Sequence, residues 1–123
     1  MSTMHEATAV TGDTPFRTEL VIDGEFRQIT DTPASMGGDN LGASPTALIA
    51  GALASCKSIT AKMYADRKGW PAEAIRVDVE HVKRDGADVF VTKVCIEGDR
   101  LDDAQRRRIY EITAKCPVHT LLT

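Results

Sequence analysis

Apolar and polar residues partly alternate over Phe16 to Ile22 and again over Glu25 to Ile29, and Asp23-Gly24 between the two runs is a hairpin signal. A shorter run, His5 to Val10, is only weakly strand-like, and residues 1 to 4 read as a loose end. Period two returns with Ile75, Val77 and Val79, which predicts a strand over Ile75 to Lys83 with one buried face. Asp85-Gly86 supplies a turn, and Asp88 to Glu97 completes a second hairpin. Between the hairpins, Thr32 to Gly42 is a loop rich in glycine and small residues. Ser44 then reads as an N-cap with Pro45 at the first helical position, and the helix is expected to run to about Lys68, with Gly69 ending it. A last helix opens at Asp102, where Gln105 completes a capping-box pair. It is expected to run to about Lys115 and to stop at Cys116-Pro117, because proline disfavours helical geometry in the residue before it. Hairpins make antiparallel sheet and two helices must cover it, so the predicted fold class is α+β.

The long helix departs from the usual amphipathic pattern. From Pro45 to Cys56 it reads PTALIAGALASC without a charge, and apolar or small residues occupy every face. A helix apolar all round is expected to be buried all round. A small chain covers less of its own surface than a large one. A dimer that packs two such helices together, through Ala50, Gly51, Ala54 and Ser55, would solve the problem. Complete cover by the chain's own sheet and C-terminal helix is the alternative.

Composition narrows the function classes. At 123 residues, the expectation is one domain over residues 1–123. A net charge of −3 with scattered basic residues offers nothing to nucleic acid. No run approaches the roughly 18 apolar residues of a membrane span, so no membrane is expected as a partner. Met1 to Val10 lacks the basic start and apolar stretch of a secretory signal, so a cytoplasmic location is expected. In that reducing compartment a disulfide is more often transient and catalytic than structural.

Three cysteines carry the candidate chemistry. Cys56 closes the uncharged stretch; it reads either as a small buried hydrophobe or as a reactive thiol. It lies three turns into the helix, too far for the helix terminus to activate it, so a reactive Cys56 needs a cation brought in by the fold. Lys57 points about 100° away around the helix, which leaves arginine or His119 as sources. Cys116 falls at the expected C-terminus of a helix, where the dipole disfavours a thiolate and suits a resolving thiol. Cys95 sits in a strand and reads as packing. Cys116 and His119 have a C-x-x-H spacing, but zinc sites usually gather two tight pairs, and only one is present; no metal and no cofactor is expected. His5 and His81 show no partner in the sequence.

Read together, Asp31-Thr-Pro-Ala-Ser-Met-Gly-Gly38, Gly42-Ala-Ser-Pro-Thr-Ala-Leu48, Ala54-Ser-Cys56, the following stretch to Trp70, and Cys116-Pro-Val-His119 resemble the OsmC/Ohr family of osmotically inducible and organic hydroperoxide resistance proteins. The resemblance covers roughly residues 14 to 122 and is closest to the branch with a Tyr-Ala-x-x-Lys-Gly-Trp stretch and a Cys-Pro-Val-His ending. It implies antiparallel sheet wrapped around a long buried central helix in an intertwined homodimer. It implies a peroxiredoxin-like activity in which Cys56 reduces an organic hydroperoxide and Cys116 resolves the product as a Cys56–Cys116 disulfide. An external dithiol, similar to that of a lipoylated protein, would reopen that bond. The family's peroxidases carry an arginine on an early strand, and Arg17 matches that position best. They also carry a glutamate just after the helix-opening proline, where this chain has Thr46 and Ala47, so Asp39 is the remaining candidate to hold the arginine. Loss of that carboxylate keeps open a second reading, a non-catalytic dimer that binds an apolar small molecule.

Overall fold

The computed structural model describes residues 2–123 and divides the chain into two compact units, one reaching to Leu48 and one from Ile49 to Thr123. Residues 2–4 are exposed and without regular structure, as expected of a loose end; Met1 lies outside the described residues.

The first unit is a three-stranded antiparallel meander of β1 (Ala7–Thr11), β2 (Thr18–Ile22) and β3 (Phe26–Thr30). Asp23 and Gly24 turn the β2–β3 hairpin with φ of 54° and 65°, both left-handed, which is why the Asp-Gly pair marked the turn. Asp23 also clasps the N-terminal segment. Its carboxylate accepts from the Glu6 amide at 3.0 Å and faces His5 Nδ1 at 3.1 Å, so His5, expected without a partner, has one. Asp31 begins the glycine-containing loop. Burial alone would raise the pKa of its carboxyl, but amides of Thr32, Leu41 and Asp39 donate to it and hold it below the ordinary value. Gly38 is required where the loop closes, since a Cβ there would sit 2.2 Å from the Thr32 carbonyl oxygen.

Helix α1 (Pro45–Lys68) starts where Ser44 Oγ accepts from the Ala47 amide at 3.2 Å. It ends in a Schellman motif: Gly69 takes φ of 73°, its amide bonds the Asp66 carbonyl and that of Trp70 bonds Ala65.

In the second unit, β4 (Ala74–Arg84) and β5 (Ala87–Glu97) pair along their whole length around the Asp85-Gly86 turn. Ile75, Val77 and Val79 share one half-buried face with Ile96 and Val94 opposite. His81 stacks on Phe90 with centroids 5.1 Å apart and meets Asp88 at 2.8 Å, so it too is partnered, against expectation. Cys95 is exposed opposite Arg76 and packs into no core, which corrects its reading as a packing residue. Its strand register points it to the face opposite Ile96 and Val94.

Helix α2 (Asp103–Ile112) opens on the expected capping box, with Gln105 N to Asp102 Oδ1 at 2.7 Å and Asp102 N to Gln105 Oε1 at 3.0 Å. Its end differs from expectation. A 3₁₀ turn takes over at Thr113–Lys115, and after Cys116 a further helix, α3 (Pro117–Leu122), begins. The same proline that stops one helix opens the next, because its fixed φ suits the first helical position. The core joins α1, α2 and the hairpin through Ala61, Ala65, Ala72, Leu101 and Ile109, with Trp70, Ile75 and Ile96 packed against them.

The single chain does not bury α1 all round. Its buried residues are Leu53, Lys57, Ala61 and Ala65, one line at four-residue spacing, while Ile49, Ile59 and Met63 are exposed. Small residues let one face pack closely, and the opposite face stays uncovered.

Candidate functional site

The i, i+4 line that points α1 inward decides the site. Lys57 occupies that line and is only 4% exposed. Its ammonium donates to the Thr113 carbonyl oxygen at 3.0 Å and to His119 Nδ1 at 3.3 Å. Pro117, four residues after Thr113, has no N–H to offer that carbonyl, and its oxygen has a second lone pair for the ammonium.

Cys116 is wholly buried and is the N-cap of α3. Its Sγ accepts from the backbone amide of His119 at 3.3 Å. Cys116 closes the 3₁₀ turn that follows α2, the helix end expected there, and it also starts a further helix that was not expected. Burial pushes the Cys116 thiol up, and the neighbouring Cys56 sulfur raises it further. The His119 amide and the Lys57 charge pull it down and lose. Cys116 therefore rests as a protonated thiol.

Cys56, one residue before Lys57, is half-buried, and its Sγ lies 4.0 Å from Thr60 Oγ1 one turn on. Both thiols are free. The structure thus gathers Cys56 and Cys116 into one cluster, with Lys57 and His119 beside them, and leaves Cys95 outside it. A cavity of about 490 Å³ opens next to this cluster, walled by Leu53, Val89, Phe90 and Leu122, with Lys57, Asp88, Thr92, His119 and Thr123 as polar groups. Among the described residues no group of three or more His, Cys, Asp or Glu side chains could hold a metal. His119 Nδ1 faces Lys57, and its contact with the Cys116 sulfur is through the backbone amide.

Arg17 belongs to the first unit, immediately before β2, half-buried. A carboxylate does stand near it, but it is Glu19 at 3.8 Å and not Asp39. Both partners are largely in solvent, so the pair holds the guanidinium weakly.

Lys57 is the residue that sequence reasoning set aside. The 100° rotation that takes it away from Cys56 turns it toward Thr113 and Cys116. A signal was available: with Leu53, Ala61 and Ala65 it makes a four-residue repeat, and a lysine in a buried line must find acceptors.

The sequence profile described as OsmC-like protein matches residues 37–123. No curated protein matches the chain in sequence. Among solved structures, the chain is similar to a Psychrobacter arcticus protein described as a candidate osmotic stress induced and detoxification response protein, at 25% identity and a TM-score of 0.76, covering 100% of this chain and 90% of that one. An OsmC-like protein from Mycoplasma pneumoniae shares 19% identity at a TM-score of 0.78, over 99% and 89% of the two chains. The organic hydroperoxide resistance protein OhrB of Bacillus subtilis shares 19% at 0.63, over 97% and 90%. Among the described residues no helix is long and apolar enough to cross a membrane.

Proposed function

This chain belongs to the OsmC-like family, and on that footing we propose that it is a thiol peroxidase reducing organic hydroperoxides through Cys56 and Cys116. The observation that carries the reading is the pair of free thiols of unequal environment: Cys56 half-buried and open to a substrate, Cys116 wholly buried and held protonated beside it. The Cys56 thiolate attacks the outer peroxide oxygen, the O–O bond breaks, and the alkoxide takes a proton to leave as an alcohol. Cys56 is then a sulfenic acid. The Cys116 sulfur attacks it, water leaves, and a disulfide forms. An external dithiol, of the kind a lipoylated protein carries, opens that bond by exchange and departs as its own cyclic disulfide. The chemistry fits a reducing, cytoplasmic setting. Arg17 is the candidate cation for the Cys56 thiolate and the leaving alkoxide.

The active form in this reading is a homodimer. Ile49, Ala52, Ile59 and Met63 lie at spacings of three, seven and four residues along α1, and the three large side chains among them are exposed. That spacing is the seam of two packed helices, and a second copy is the occupant it suits.

Thiol counting by mass spectrometry, before and after one equivalent of an organic hydroperoxide, tests the chemistry. The expected result is a Cys56–Cys116 linked peptide with Cys95 still free. Three free thiols after treatment would overturn it. The cavity of about 490 Å³ with apolar walls favours one other reading, a dimer that binds an apolar molecule without turnover. In that case binding of a hydrophobic dye survives Cys56→Ser and no peroxide is consumed by the parent protein.

A further inference from the structure

A buried charge needs an opposite charge, and Lys57 has none at rest. Its two partners, a carbonyl oxygen and a ring nitrogen, are neutral acceptors. Among the described residues no carboxylate forms an ion pair with it; Asp88, which lines the adjoining cavity, is engaged by His81 at 2.8 Å and Lys83 at 3.1 Å. An ammonium only 4% exposed has little water to replace a counter-ion. Besides Cys56, the group beside it able to become an anion is the sulfur of Cys116, onto which the amide of His119 also donates.

We propose that Lys57 is a positioning residue for the reductive half of the cycle, holding its charge where the Cys116 thiolate appears, so that the external dithiol attacks Cys56 and expels Cys116. The proposal rests on the peroxidase reading and adds a direction to it. In the Cys56–Cys116 disulfide one sulfur must be attacked and the other must leave. Cys116 is closed to solvent and Cys56 is not, so attack on Cys56 is the accessible route. The attacking thiolate bonds to Cys56, the S–S electron pair goes to Cys116, and the second thiol of the dithiol then releases Cys56. Burial opposes charge on Cys116. In the resting protein the nearby Cys56 opposes it too, but a Cys56 tied up in a mixed disulfide carries no charge and that repulsion vanishes. What remains against burial is the His119 amide, the Lys57 ammonium, and the ring of His119 that keeps the ammonium in place.

The test starts from disulfide made with diamide, so it does not depend on peroxide turnover. Excess 2-mercaptoethanol is added, the reaction is quenched in acid, and the cysteine carrying the adduct is located by peptide mass spectrometry. The expected result is an adduct on Cys56 with Cys116 free. Lys57→Met should slow opening about threefold to tenfold through the lost stabilisation of the leaving thiolate, and Lys57→Arg should recover most of the rate. An adduct on Cys116, an unchanged rate in Lys57→Met, or a Lys57→Arg as slow as Lys57→Met would each overturn the proposal. If Lys57→Met does not fold, the adduct position in the parent and the rate of Lys57→Arg decide. A disulfide that diamide forms but hydroperoxide does not defeats the peroxidase reading alone; a disulfide that neither forms defeats both.

Discussion

Replacing Ile59 by lysine tests the proposed seam without touching the core. Complete burial of an isoleucine or methionine side chain contributes about 1.5–3 kcal/mol. Ile49, Ile59 and Met63 are 41%, 56% and 54% exposed, so two copies packed along this face would gain about 5–9 kcal/mol from these side chains. Association itself costs about 4–15 kcal/mol, which leaves the three pairs close to balance and makes each of them matter. Ile59→Lys removes about 2–3 kcal/mol of that gain from the pair and sets two ammonium groups facing each other across the two-fold axis. The expected outcome is a dimer weaker by about a hundredfold or more, with the helical signal of each chain preserved because the side chain contributes little to its own fold. Sedimentation velocity across roughly a thousandfold range of concentration reads the change. Leu53→Lys, on the inward line at 3% exposure, should instead unfold the chain. Identical sedimentation of Ile59→Lys and the parent, whether both single or both paired, would remove α1 from the interface.

Ile109 is fully buried in the core that seats α1 on α2, so Ile109→Ala should lower stability by about 2–5 kcal/mol in urea unfolding, and a cost below about 1 kcal/mol would contradict the packing. Cys116 has its pKa raised above the ordinary cysteine value of 9.0, so past that pH the unfolded chain loses its proton first and folding stability falls until the folded thiol also titrates. Urea midpoints between roughly pH 8 and 10 should therefore drop more steeply for the parent than for Cys116→Ala, and parallel slopes would refute the assignment. Arg17→Ala should slow hydroperoxide reduction and raise the pH at which Cys56 is alkylated; if neither property moves, the guanidinium has no part in activating that thiol.

The two hairpins, the long helix and its caps, and the capping box of α2 were legible because each depends on a few neighbouring residues. Asp23-Gly24 and Asp85-Gly86 adopt left-handed turns, Ser44 and Pro45 open a helix, and Gly69 closes it, whatever the rest of the chain does. Helix α3 was missed for a local reason too: Pro117 was read only as a stop. The partners of His5 and His81 are not visible locally, because Asp23 and Asp88 reach them only across a hairpin or a strand pair. Cys95 was taken for a core residue because a strand's residue types do not say which of its two faces is covered.

The sequence by itself determined an α+β chain of antiparallel hairpins and a long uncharged helix, since periodicity, caps and residue type are local properties, and its resemblance to a family pointed to Cys56 and Cys116. The tertiary structure alone decided the surroundings of those sulfurs. Cys116 and Lys57 lie 59 positions apart along the chain, and only the packing of α2 and α3 on α1 places a carbonyl, an imidazole and a buried thiol around one ammonium. Desolvation, which holds Cys116 protonated, depends on everything packed around a group, and no stretch of neighbouring residues encodes it.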